Sequence, residues 1–246
     1  MAGKGEPGKR RRRRAATGEP VGPWRRVRRW VLRVAGASML LMVGVVALFS
    51  QVNPPWGLYM IGEYRRTGAI QRVWVPMEAI SPHMARSAVA AEDANFCLHW
   101  GFDMNEIRRA LEADARRGAS TITQQTVKNV FLWHGRSWAR KGLEAGLTPL
   151  VELFWSKRRI LEVYLNVAEF GEGIFGIEAA AQHHFGIPAS RLNAQQSARL
   201  ATILPSPRLR NPNRLSPALQ RRATQIADGA ATILRDGRAA CFEAGG

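Results

Sequence analysis

Cysteine is nearly absent: Cys97 and Cys241 are the only two in 246 residues, too few for a disulfide framework. Nothing in the sequence brings the pair together, so they read as two separate thiols. The five histidines show no metal-ligand spacing. His99, His183 and His184 read as structural, and no metal site is expected. No hairpin dipeptide is framed by period-two alternation, and no internal repeat appears, which leaves a mainly helical reading. Acidic residues are missing where basic ones crowd. Residues 1–33 hold 12 of the 36 Lys and Arg but 2 of the 19 Asp and Glu, a net +10 against +7 for the remainder. The high overall pI therefore describes a tail more than a domain.

Residues 1–24 are rich in Gly, Pro and Arg and are expected to be disordered. The run Lys9–Arg14 has the composition of a nucleic-acid arm, but the apolar segment beyond it argues against a nucleic-acid partner. Val34 to Val52 are uncharged, long enough at about 1.5 Å per residue to cross a hydrocarbon core of about 30 Å. Arginines precede the run and Asn53-Pro54-Pro55 comes after it. A buried core helix would lack such flanks, and a cleaved signal would end in small residues. The reading is a single-pass anchor (34–52) behind a basic cytoplasmic tail (1–33), with an exported domain beyond it. Residues 53–74 read as a connector, the domain as 75–240, and residues 1–52 as removable without loss of the domain's fold.

Helix-start signals punctuate the domain. Ser81-Pro82 fits a cap followed by Pro, opening a helix to about Asn95. Asp103 with Glu106 has capping-box spacing, Ser156 precedes an apolar stripe of Ile160, Leu161, Tyr164 and Leu165, and Asn193 and Ser216 open two more helices. Three stretches hold candidate chemistry. In Ser120–Asn129, the residues Gln125, Lys128 and Asn129 fall at i, i+3 and i+4 and offer a cation and two amides to a phosphate or sugar. Arg140, Lys141 and Glu144 put two cations and a carboxylate within one turn. Glu92 and Asp93 end an Ala-rich helix, where desolvation favours acid–base work. Each has a plainer reading when taken alone: a solvated helix face, a surface ion pair, a helix-end charge pair.

The order and spacing of these stretches carry more. EDANFCLHWGFD, GASTITQQTVKNVFL, RKGLEAGLTPLVE and KRRILEVYLNVAEFG resemble the four successive motifs of the monofunctional peptidoglycan glycosyltransferases, whose domain is shared with bifunctional penicillin-binding proteins. GIFGIEAAAQHHFG and LPSPRLRNP extend the likeness over roughly residues 70–215. The resemblance implies a mainly helical, lysozyme-like domain with a smaller membrane-proximal lobe. It makes Glu92 the catalytic carboxylate, Glu144 the second acidic residue, and Lys128, Arg140 and Lys141 the cations around a pyrophosphate. Asp93, Ser120, Thr121, Gln125 and Asn129 fall with the substrate-binding positions. Four features depart from the pattern: Ala119 replaces a glycine, the 111–118 segment is short, Gly146 and Pro149 are expected to interrupt a helix, and Gln196 stands for a Glu.

What the resemblance implies for function is elongation of glycan strands from a lipid-linked disaccharide-peptide precursor (lipid II). The β-1,4 link forms with inversion and polyprenyl diphosphate leaves. No cofactor is required, although a divalent cation at the pyrophosphate is compatible. The implied partners are lipid II, the growing lipid-linked strand, the membrane, and other wall synthases or division proteins; peptide cross-linking falls to other proteins. Two rivals remain: an inactive membrane-anchored scaffold, and a lytic glycosidase of similar shape, which would not need the clustered cations.

Overall fold

Side-chain caps set most of the helix starts in the computed structural model, which describes residues 23–112, 120–133, 135 and 137–243. The helices are α1 (Pro23–Phe49), α2 (Leu58–Thr67), α3 (Pro82–Glu92), α4 (Met104–Glu112), α5 (Ile122–Phe131), α6 (Trp138–Phe154), α7 (Lys157–Val167), α8 (Ile177–Phe185), α9 (Ala194–Ile203), α10 (Pro217–Arg235) and the short α11 (Ala240–Glu243). Asp103 Oδ1 accepts the Asn105 and Glu106 amides to start α4. Ser156, Asn193 and Ser216 accept amides at α7, α9 and α10 as expected. Gln196 completes a capping box with Asn193, so its amide does there what a Glu would do. Ser81 departs from expectation: its hydroxyl donates instead to the Leu192 carbonyl, at 2.6 Å.

Two compact units divide the chain, Met1–Met42 and Val43–Gly246. In the first, α1 carries exposed Trp30, Leu32, Met39, Leu40 and Leu41. An exposed helix this apolar, 26 residues from Trp24 to Phe49, fits a single-pass membrane anchor. It starts earlier than the uncharged run because Pro23 suits a first helical position. The expected disorder of residues 1–24 otherwise falls on residues 1–22, outside the described residues, as do Ala119 and residues 113–118 of the short segment.

In the second unit, α3, α9 and α10 pack together and α5 packs between α6 and α7. Helix α7 is central: Ile160, Leu161, Val163, Tyr164, Leu165 and Val167 are all buried. The expected connector is built into this unit. Strand β1 (Gln71–Arg72) pairs parallel with β3 (Ile174–Phe175), which pairs antiparallel with β2 (Glu169–Gly171). Asn166 brackets Val75, accepting its amide and donating to its carbonyl. Gly57 caps α2 against the end of α5, where a Cβ would lie 2.4 Å from the Asn129 carbonyl oxygen.

Two expectations need correction. Helix α6 is not interrupted at Gly146 or Pro149 but runs on to Phe154. Leu147, Thr148, Val151 and Glu152 are buried along it, and their packing outweighs the roughly 3 kcal/mol local cost of an internal proline. The two cysteines are not separate thiols: Cys97 and Cys241, 144 residues apart in sequence, form a disulfide.

Residues 43–52 also belong with the second unit. Val46 is fully buried and its carbonyl accepts the Trp155 indole N–H at 2.7 Å. Phe49 stacks on Phe131, and Arg159 donates to the Phe49 and Val52 carbonyls. Removing residues 1–42 is therefore expected to leave the melting temperature unchanged. Removing 1–52 forfeits about 2–4 kcal/mol of burial and hydrogen bonding, roughly 5–10 °C for a domain of this size. Calorimetry of the two shortened chains in detergent checks this, and equal melting temperatures would contradict it.

Candidate active site

Helix α3 stops at Glu92, short of Asn95, because Asp93 leaves helical backbone (φ −162°, ψ 69°). The turn separates the two carboxylates. Asp93 points inward, where one oxygen accepts the Ile122 amide at 3.0 Å and the other meets His99 Nε2 at 2.7 Å. Glu92 points into a cleft of about 230 Å³ lined also by Ala91, Asn95, Ser120 and Thr121. Gln125 Nε2 donates to Glu92 Oε2 at 2.8 Å, and the fully buried Tyr164 hydroxyl reaches Gln125 Oε1 at 3.5 Å.

Close packing of protein around Glu92 holds its carboxyl pKa above the ordinary glutamate range. The Gln125 hydrogen bond, Arg222 and Lys128 oppose that rise, and Asp93 adds to it. Burial likewise pushes the Tyr164 phenol far up, with Glu92 and Asp93 adding to the effect, so it stays neutral.

The cations come from α5 and α6. Thr121 caps α5, accepting the Gln124 amide in a capping box and donating to the Gly101 carbonyl. That carbonyl is placed by a left-handed backbone (φ 82°) where an added Cβ would lie 2.6 Å from Thr148. Gln125, Lys128 and Asn129 share one face, as their spacing requires, and line a second cavity of about 180 Å³ with Tyr59, Tyr164, Glu169 and Pro205. Ser137 caps α6. One turn on, the buried Glu144 accepts Arg140 at 2.9 Å and Lys141, which also donates to Ser120 Oγ at 3.3 Å. Lys128 Nζ makes no hydrogen bond or ion pair among the described residues. Desolvation lowers its pKa; Glu144 and Glu92 oppose that, while Arg140 and Lys141 reinforce it.

Two residues grouped with substrate binding by sequence have their polar atoms engaged within the protein. Asp93 braces α5 and Thr121 caps it. One ligand atom each from Asp93, His99 and Asp103 lie within 4.8 Å of one another. All four carboxylate oxygens there already accept hydrogen bonds, from His99, Ile122, Asn95, and the Asn105 and Glu106 amides. The trio acts as a brace.

A family model described as Transglycosylase matches residues 60–231. The chain belongs to the transglycosylase family. It is 58% identical over 217 residues to a biosynthetic peptidoglycan transglycosylase of Jannaschia sp. (strain CCS1), covering 88% of this chain and 90% of the relative. A protein of the same name from Rhodospirillum centenum is 48% identical over 223 residues, 89% of this chain and 96% of the relative. One from Yersinia pestis (strain Pestoides F) is 52% identical over 188 residues, 71% and 77% respectively. The transglycosylase domain is helical and lysozyme-like, as the resemblance implied.

Sequence reasoning missed residues that lie around these cavities of the transglycosylase. Arg222 of α10 donates to the Ala91 carbonyl at 3.2 Å, one residue before Glu92. Tyr59 and Arg208 converge on Glu169 beside the second cavity. Their separation in sequence hid them, although Tyr164 and Glu169 both lie within the fourth motif.

Proposed function

We propose that this transglycosylase polymerises peptidoglycan glycan strands from lipid II at the outer face of the cytoplasmic membrane, with its N-terminus in the cytoplasm. One observation carries the assignment of roles. A desolvated carboxylate, Glu92, held by Gln125, lies within electrostatic reach of Lys128, whose ammonium is unpaired among the described residues and which in turn feels Arg140, Lys141 and Glu144.

The donor is the growing strand, joined through its reducing-end pyrophosphate to a polyprenyl lipid, and the acceptor is one lipid-linked disaccharide-peptide. The acceptor 4-hydroxyl attacks the donor anomeric carbon while Glu92 takes its proton. Polyprenyl diphosphate departs from the opposite face, so the α-linked donor becomes a β-1,4-linked product. A single displacement needs one base and no covalent sugar–enzyme intermediate. Lys128, Arg140 and Lys141 meet the charge that grows on the leaving phosphate, where pre-placed cations act most strongly. Glu144 spends its two oxygens on Arg140 and Lys141, so its role is to aim those cations, and no step is assigned to a divalent metal ion. Asp93 and Thr121 position the start of α5, while Ser120, Gln125 and Asn129 contact the substrate. The α1 anchor keeps the cleft at the surface where both substrates lie, which raises their effective concentration.

Purified full-length protein is expected to convert fluorescent lipid II into strands that resolve as a ladder on a gel. Binding without any polymer would overturn this reading in favour of a scaffold, and shortening of added strands would favour a lytic enzyme.

A further inference from the structure

The backbone just after Glu92 is unusual for so central a position. Residues 94–101 form turns and bends, outside any helix or sheet, yet they link Glu92 and Asp93 to His99 and Gly101. Within them the Phe96 amide bonds the Asp93 carbonyl and the Leu98 amide bonds the Asn95 carbonyl, which is little to fix a segment beside a reacting carboxylate. Asp93, Asp103, Thr121 and Lys157 restrain it at His99, Asn95, Gly101 and Phe96, and the far end of the chain holds it at Ala94, Phe96 and Cys97. Arg238 donates to the Ala94 carbonyl at 2.9 Å. Cys241 is joined to Cys97. Phe242 is fully buried, with its ring centroid 6.5 Å from that of fully buried Phe96.

The far end is itself pinned. Arg158 donates to the Phe242 carbonyl at 2.9 Å, and Arg86 pairs with Glu243 at 2.7 Å. Lys157 lies over the Phe96 ring at 4.5 Å and donates to the His99 carbonyl at 2.8 Å. Residues 236–243 lie beyond 60–231, the stretch that matches the family model.

We propose that residues 236–243 form a covalent clasp that positions the Glu92 turn, and that closing the Cys97–Cys241 bond is a maturation step that sets the rate of this enzyme. The clasp rests on the proposed role of Glu92. Closure is a thiol–disulfide exchange with a disulfide oxidant. One cysteine thiolate attacks the oxidant's S–S bond and releases one of its thiols. The second thiolate then displaces the other, leaving the Cys97–Cys241 bond. Two electrons pass to the oxidant, and the two protein protons end on its two thiols. The clasp acts at a distance from substrate: it fixes the backbone from Ala94 to Cys97, and through it Glu92, Asp93, and the Ile122 amide that Asp93 holds. Displacements of about 1 Å in such a frame cost on the order of a hundredfold in rate, so partial loosening is expected to cost about tenfold.

The test uses full-length protein in detergent micelles, with fluorescent lipid II as substrate and dithiothreitol followed by oxidised glutathione as the redox probes. Reduction is expected to lower kcat about tenfold with little change in KM, to shift the midpoint of the acid limb of the pH–rate profile, and to reverse on reoxidation. Cys97→Ser/Cys241→Ser should show the low kcat from the start and ignore both reagents. Arg238→Ala, with the disulfide intact, should lose several-fold in kcat at an almost unchanged melting temperature. This variant tests the clasp even if the double serine variant does not fold. Hydrogen exchange at residues 94–101 and at the Ile122 amide gives a readout independent of turnover, and should quicken on reduction. A protein that binds lipid II but never polymerises it would sink the functional reading while exchange still reported on the clasp. Wild-type kcat, pH midpoint and exchange in reduced protein, or wild-type kcat in Arg238→Ala, would overturn the clasp.

Discussion

Glu92→Gln lowers polymerisation by at least about a hundredfold while the melting temperature holds or rises. Glutamine preserves the shape and can still meet Gln125, but it takes no proton at working pH. General-base catalysis contributes about 10²- to 10⁴-fold, which sets the size of the loss. The stability half comes from the same burial that tunes the acid. Because packing raises the Glu92 pKa above its ordinary value, the folded state carries a desolvation cost whenever this group is ionised, and a neutral amide removes that cost. The sign for activity is fixed too. In the proposed mechanism the reaction needs the carboxylate, so wild-type kcat is expected to fall as pH drops through a midpoint above the usual glutamate value of about 4.3. That acid limb disappears in Glu92→Gln. Binding of a phosphoglycolipid that mimics the donor should survive, since the proposed contacts of its phosphate are Lys128, Arg140 and Lys141 instead. Near-wild-type turnover by Glu92→Gln, measured on lipid II, would remove Glu92 from the chemistry.

How much of the fold and site is legible in the sequence depends on whether the signal is local. Caps are local, so the starts of α4, α7, α9 and α10 can be read from Asp103, Ser156, Asn193 and Ser216. The face shared by Gln125, Lys128 and Asn129 comes from helical spacing alone. The end of α3 cannot be read, because what turns Asp93 out of the helix is a partner 29 residues away, the Ile122 amide. Adjacent carboxylates also look alike in sequence and differ only in what they meet, Asp93 the Ile122 amide and Glu92 the Gln125 side chain. The three strands run to two or three residues each, too short for alternation to register, and β2 is buried throughout. Pro149 misleads because local propensity carries no trace of the packing of Leu147 and Val151. The disulfide joins residues 144 apart, and only the fold brings α11 back to the first motif.

Lys128→Met carries the other large effect, a loss in kcat/KM on the order of 10²- to 10³-fold with no loss of stability. The two halves again share one cause. Lys128 is an ammonium surrounded by protein, with no ion-pair partner among the described residues, and its pKa is lowered chiefly by desolvation. Such a charge costs the apo fold something, and in the proposed mechanism it is compensated when an anionic leaving group arrives. Removing one pre-placed donor to a developing oxyanion typically costs about 2.7–4 kcal/mol in the transition state, whereas a methionine of similar bulk fills the site without a charge to desolvate. Lys128→Arg separates charge from shape. It should retain far more activity than the Met variant, and it should also move the alkaline limb of the pH profile. If donor recognition requires the ammonium, as proposed, wild-type kcat/KM is expected to fall as pH rises through a lysine pKa below the ordinary value of about 10.4. An arginine stays charged beyond about pH 12, which should carry that limb upward. A Met variant matching wild type on lipid II, or an alkaline limb unmoved in Lys128→Arg, would show that the leaving phosphate is met by Arg140 and Lys141 without it.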